Sequence, residues 1–430
     1  MAKFGDQRRL LVQPDGQIIE SPRGRLFIDG YTAKMTDLSG VRVLRCGVDT
    51  VRQLYNGLIR PEVIALFDSQ EPFVEFAGYE WSKGRIGRDS GYQFRLQNAD
   101  LGLILLIKNH NMKLESIGSH LKIEVSPHAI DGVAPKALQG LMDSLAAAVM
   151  THCEPNQCAV HIALDVQGWT PKENIVDRMH CRSNRVRQIS GIDRIEFNGN
   201  ASVYGRGETY MFGSPTGIQL AVYNKSLQAR ATDKLDYWNA VWSTHNGNPF
   251  GDSDAAYNPN EPVWRIEFRY HHTIINQFAQ GSIKASGGVI GTRTYEGISQ
   301  HLDHLWVYGC EAYRLLGLRT QHDPFWTLIM QDVKVQVEAD PLIERVEYRR
   351  YRKTAMGFSG KNCEMFLGQF ISLIARERIP AKKAIESAYS LEFWHVIEDH
   401  YLAKGWTRRD LEKHIKNLIS DRYLRRGYAV

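Results

Sequence analysis

Four short segments of this 430-residue chain alternate strictly between apolar and polar residues. A period of two confines such segments to strands of a sheet with one buried face. In 120–126 (H-L-K-I-E-V-S) Leu121, Ile123 and Val125 point one way, Lys122 and Glu124 the other. In 160–166 (V-H-I-A-L-D-V) the apolar set leaves His161 and Asp165 together on the opposite face. In 218–225 (I-Q-L-A-V-Y-N-K) Ile218, Leu220 and Val222 oppose Gln219, Ala221, Tyr223 and Lys225. In 264–270 (W-R-I-E-F-R-Y) Trp264, Ile266, Phe268 and Tyr270 oppose Arg265, Glu267 and Arg269. The expected fold is α+β: an antiparallel sheet with helices on one face, followed by a helical C-terminal domain. Segment 135–151 supplies one covering helix, with Leu138, Leu141, Leu145, Ala148 and Val149 at helical spacing and Pro135 in its first turn.

This length implies more than one domain, and 43% apolar residues suffice for real cores. Residues 1–40 read as a polar N-terminal arm, 41–280 as the sheet domain, 281–297, with five glycines, as a linker, and 298–430 as a basic helical domain. Helices are expected at 295–317, 323–339, 362–378, 381–404 and 408–425, and a long loop at 245–262. Net charge is only +5, but residues 402–430 carry eight Lys/Arg against three acids, an excess of five that equals the whole chain's. Such asymmetry suits a polyanionic partner; a solvated helix face is the other reading. No secretory signal opens the chain and the longest apolar run, 101–107, is too short to span a membrane, so the cytoplasm is expected. Six cysteines form no disulfide framework, and Cys153, Cys158 and His161 lack the repeated close pairs of a structural zinc site.

The polar sides of the four strands gather Glu124, His161, Asp165, Tyr223, Lys225 and Glu267. An antiparallel sheet can keep such a face for solvation alone. Carboxylates with one imidazole are also donors for Mg²⁺ or Mn²⁺. A tyrosine beside a lysine is a nucleophile with a phosphate-binding partner, and Lys225, Arg265 or Arg269 could steady the charge developing on a phosphodiester.

At these residues the chain resembles the Rep_trans-type rolling-circle replication initiators. The likeness rests on the Gly213-Ser214 turn, the strand ending Ala221-Val222-Tyr223-Asn224-Lys225, Trp264-Arg265-Ile266-Glu267, the 159–165 strand ending in Asp165, Lys122-Ile123-Glu124, and Asp49 within Gly47-Val48-Asp49. It covers about 41–280. His161 stands where the family has an aspartate and Ala221 where it has an arginine. The resemblance implies a relaxase-like, HUH-like nicking domain in which Tyr223 attacks one origin strand, stays on the 5′ phosphate and frees a 3′ hydroxyl. Lys225 would assist, and Glu124, His161, Asp165 and Glu267 would hold Mg²⁺ or Mn²⁺. It implies origin DNA, duplex and single-stranded, as partner, with host helicase and polymerase, in the host bacterial cytoplasm; monomer and dimer both stay open.

Candidate DNA contacts are Arg178, Arg182, Arg185 and Arg187 ahead of the tyrosine strand, Arg265 and Arg269 on the sheet, and Arg349, Arg350 and Arg352, interleaved with Tyr348 and Tyr351. Arg408 and Arg409 open the last helix. Two alternatives stand beside the nickase: a non-catalytic DNA-binding regulator on the same scaffold, and a conjugative relaxase of a mobile element.

Overall fold

The alternating segments do pair, and they pair around two unexpectedly long strands. In the computed structural model Arg42–Ile59 and Met150–Gln167 lie antiparallel at the centre of an 11-stranded sheet. On one side follow Trp264–Tyr270, Ile218–Asn224, Thr209–Gly213 and Val186–Ile189; on the other follow Leu121–Val125, Leu103–Ile107, Phe94–Asn98, Tyr79–Arg85 and Phe73–Phe76. Every pairing is antiparallel. The structure describes residues 7–30, 32–86, 91–108, 113–115, 118–181, 186–189, 209–244, 257–317, 321–342, 344–349 and 360–427.

The chain forms two compact units, Met1–Arg349 and Arg350–Val430. The domain boundary therefore lies near 350 rather than at 281–297. The glycine-punctuated stretch is built into the larger unit because its backbone is held there. The Tyr295 amide donates to Gln139 at 2.9 Å, Gln53 donates to the Arg293 carbonyl at 2.8 Å, and Thr294 caps Tyr295–Ser299. The N-terminal stretch is likewise no loose arm. Arg8–Val12, Ile18–Glu20, Leu26–Ile28 and Met35–Asp37 make a small antiparallel sheet. Phe27 and Leu38 join the main core, and Arg9 forks onto Asp332.

Helix Pro135–Val149 covers the apolar side of the large sheet with Leu138, Met142, Leu145 and Val149, as its periodicity predicts. Leu302–Ala312 and Pro324–Asp332 bring Trp306 and Trp326 against Phe268. The close fit depends on Gly309, where an added Cβ would lie 2.2 Å from the Tyr270 hydroxyl and 2.9 Å from Phe268. Alanine favours a helix interior by about 1 kcal/mol over glycine. Here the overlap dominates, and Gly309→Ala is expected to lower stability by about 1–3 kcal/mol in urea unfolding.

Helices are not confined to one face. Lys225–Ala231 and Leu235–Ser243 fold over part of the polar side, burying Trp238 and Trp242 with Leu44, Ala229 and Val263. Three expected helices are also shorter: the 295–317 segment breaks into Tyr295–Ser299 and Leu302–Ala312 and ends in the strand Tyr313–Leu315. The 323–339 segment stops at Asp332, because its continuation bonds to the sheet through the Gln336 amide and the Cys46 carbonyl. The 381–404 segment splits into Ala381–Tyr389 and Trp394–Leu402 at Ser390, whose hydroxyl bonds back to the Ser387 carbonyl. With Gly360–Arg376 and Arg408–Gly427 these pack around Leu367, Ile371, Trp394, Ile397, Leu411 and Ile415 to form the second unit. No helix among the described residues is long and apolar enough to cross a membrane.

Candidate active site

Three adjacent strands set the site by register alone. Tyr223 pairs with Arg265 and Arg265 with Asp165; Ala221 pairs with Glu267 and Glu267 with Ala163; Gln219 pairs with Arg269 and Arg269 with His161. All nine side chains share one face, three rows of three. Glu267 occupies the centre between two alanines, and those small neighbours leave room for diagonal contacts. Tyr223 donates its phenol to Glu267 Oε2 at 3.0 Å, Arg269 donates to Oε1 at 2.7 Å, and His161 Nδ1 lies 3.3 Å from the same oxygen.

Asp49 reaches this face through a bulge. His161 pairs with Thr50 and the next residue, Ile162, with Val48, so Asp49 is an extra residue on its strand. A bulge re-aims a side chain that strict alternation would send elsewhere. Asp49 meets Arg265 Nη1 at 2.5 Å, while Asp165 accepts Arg265 Nε at 2.6 Å and Nη2 at 2.7 Å. Trp242 Nε1 donates to the second Asp165 oxygen at 2.9 Å. Arg265 and Asp165 are both 0% exposed, so this fork is sealed from solvent. Over it lies the Trp238 ring, 4.3 Å from both the Arg265 guanidinium and the Lys225 ammonium. Aromatic faces attract cations, which offsets the crowding of like charges.

Charge follows from these contacts. Burial works against the Glu267 carboxylate, but Arg269 and His161 together hold its pKa well below the usual range. Burial also opposes the Asp165 anion, and Arg265 overcomes it, leaving that pKa lowered. Burial, then the Glu267 charge, pushes the Tyr223 phenol well above 10, so it rests protonated. His161 is lowered by burial and by Arg52, hence neutral at pH 7. Burial and the neighbouring Arg265 bring Lys225 down to about 7.

Several residues singled out from sequence thus converge: Tyr223, His161, Asp165, Arg265, Glu267 and Arg269. Lys225 does not continue the strand face; it opens the helix Lys225–Ala231 and donates to Gln228 at 2.7 Å. Glu124 lies two strands from His161 and is held by Lys122 at 2.8 Å and Arg52 at 3.1 Å. Each proposed metal carboxylate therefore already faces a cation. Among the described residues no three His, Cys, Asp or Glu side chains converge as a metal centre would need. All six cysteines are free thiols.

Of the proposed DNA contacts, Arg265 is fully enclosed and out of reach of any strand. Arg178 bonds the Leu316 carbonyl and Asp323, tying the chain to itself. Arg269 keeps 28% of its side chain exposed, and Arg349 is exposed but paired with Glu347 at 2.6 Å. Arg408 is exposed beside Glu398, with its guanidinium over Tyr389, and Arg409 is exposed. Arg182, Arg185, Arg350 and Arg352 lie outside the described residues, as does the Arg187 side chain; Arg187 itself sits in the strand Val186–Ile189 opposite Met211. Sequence reasoning missed Arg52, Trp238 and Trp242. The dense aromatics of Y-W-N-A-V-W at 237–242 were the available signal.

No protein-family model matches this chain, and no solved structure matches it. It is 73% identical over 422 residues, 98% of each chain, to an uncharacterized protein of Pseudomonas phage Pf1, ORF430. Identity at that level over nearly the whole length makes this chain a member of the Pf1 ORF430 family of phage proteins.

Proposed function

We propose that the chain is a rolling-circle replication initiator that cuts one DNA strand by transesterification at Tyr223. The observation that carries this reading is the Tyr223–Glu267 hydrogen bond, with Glu267 itself oriented by Arg269 and His161. A nucleophile bonded to a base that a third group holds in place is the arrangement covalent catalysis requires. Tyr223 Oη attacks phosphorus, its proton passes to Glu267, and the bond from phosphorus to the 3′ oxygen breaks. The 3′ oxygen takes a proton from Lys225, leaving a 5′-phosphotyrosine and a free 3′ hydroxyl. The low pKa of Glu267 and the high one of Tyr223 make proton transfer unfavourable at rest, so it occurs as the new bond forms. Arg269, partly open to solvent, is the cation placed to meet the phosphate; enclosed Arg265 acts only within the protein, holding Asp165 and Asp49 beneath the site.

The resemblance implies Mg²⁺ or Mn²⁺. Glu124, His161, Asp165 and Glu267 do not fit a shared ion as they stand, since guanidinium or ammonium groups occupy the carboxylates. Origin DNA, host helicase and polymerase, and action in the bacterial cytoplasm belong to the same proposal. A conjugative relaxase would share the chemistry and differ only in its target DNA.

The test is incubation with labelled single-stranded fragments tiling the encoding genome, followed by denaturing electrophoresis. A covalent adduct is expected. Its rate should fall roughly tenfold per pH unit above about 7 as Lys225 loses its proton, and Lys225→Arg should move that limb to higher pH. Salt-dependent DNA binding with no adduct under any condition favours the regulator instead, a reading to which the protonated resting state of Tyr223 lends support.

A further inference from the structure

The second unit ends in two helices joined by a short, well-fixed turn. Trp394–Leu402 is followed by a five-residue turn, 403–407, and then by the 20-residue helix Arg408–Gly427. The turn reverses at Gly405, with φ +81°, a conformation glycine adopts without strain. It is fixed by the Trp406 amide bonding the Tyr401 carbonyl at 3.1 Å and by reciprocal Thr407–Asp410 capping bonds. Leu411, Ile415 and Ile419 bury one side of the long helix in the unit's core.

Its outer side is selectively cationic. Asp410 is turned back onto the Thr407 amide and hydroxyl, and Glu412 accepts from the Tyr389 hydroxyl at 2.9 Å beside Arg408. Arg409, Lys413 and Lys416, spaced i, i+4 and i+7 on one stripe, are exposed, with exposed Asp410 one turn before Lys413 and attracting it. Asn417 is exposed next to them. With Asp410 hydrogen-bonded to Thr407 and Glu412 to Tyr389, the three cations outnumber the acids on this side, which is charge complementarity to a polyanion.

We propose that Arg408–Gly427 is the recognition helix of a helix-turn-helix that enters the major groove of duplex DNA. Arg409, Lys413 and Lys416 contact phosphates or base edges, and Asn417 reads a base. This deepens the initiator reading by giving duplex binding its own surface, separate from the strand-cutting face, and it does not depend on Tyr223 chemistry.

The experiment uses the full chain. Binding to duplex fragments of the encoding genome is measured against salt for wild type and for the triple variant Arg409→Gln, Lys413→Gln, Lys416→Gln, with circular dichroism to confirm retained helix. Each phosphate contact contributes about 0.9 to the slope of log affinity on log salt, so loss of up to three contacts should lower it by up to about 2.7 and weaken binding at least roughly tenfold. Asn417→Ala should leave the salt slope intact and reduce preference for the bound site over random duplex by roughly tenfold. Wild-type affinity and slope in a folded triple variant overturn the proposal, as does absence of duplex binding by wild type or tighter binding of duplex RNA. Loss of the adduct in wild type and variant alike, with duplex binding behaving as stated, overturns the initiator chemistry and leaves this helix assigned.

Discussion

Tyr223→Phe is expected to lower covalent adduct formation by at least about 10³-fold, while binding of the same single strand changes no more than roughly threefold. The asymmetry arises because the substitution removes one oxygen, which bonds phosphorus in the product but makes a single hydrogen bond among the described residues of the resting protein. That bond is worth about 1 kcal/mol, and Glu267 keeps Arg269 and His161 as partners after it is gone. The phenylalanine variant should therefore fold normally and stall chemically. Glu267→Gln tests the accompanying base: adduct formation should drop by about 10²–10⁴-fold, with Tyr223 still in place. An undiminished adduct in Tyr223→Phe places the nucleophile elsewhere.

The second large effect is on stability. Arg265→Ala should cost about 3–5 kcal/mol, because it strands the Asp165 carboxylate, which is 0% exposed, and takes the partner from Asp49. Urea unfolding measures the loss. Arg349→Ala is the matched control, since that pair lies at the surface with its arginine 63% exposed and should contribute about 0–1 kcal/mol. Acid should mimic part of the Arg265 effect. Asp165 is lowered in the folded chain, so its contribution is full above the ordinary aspartate pKa and fades as pH falls through the folded value. If Arg265→Ala unfolds within about 1 kcal/mol of wild type, the buried fork is not what holds these strands together.

Much of this sheet could be read from alternation, because strict period two fixes which side chains share a face whatever the partner strand. That is why Tyr223, Arg265, Glu267, Arg269, His161 and Asp165 meet as expected. What alternation cannot carry is register across partners. The bulge at Asp49 exists only because two strands of unequal local count pair, and no periodicity in residues 42–59 announces it. The fate of Lys225 turns on where the strand stops and Asn224 begins to cap a helix, a one-residue decision. The cover on the polar face comes from Trp238 and Trp242, on a helix that the sequence reading did not single out. The metal expectation met the same obstacle: four acidic or imidazole groups can be placed on one face, but their cationic partners are set by diagonal contacts across strands. Glycine content misled at 281–297, where those residues ride on a core instead of linking domains.

The most direct measurement is mass-spectrometric location of the DNA on the protein after reaction with single-stranded origin DNA. A nucleotide remnant joined through its 5′ phosphate to Tyr223 is the expected result. A remnant on any other residue, or attachment through a 3′ phosphate, contradicts it.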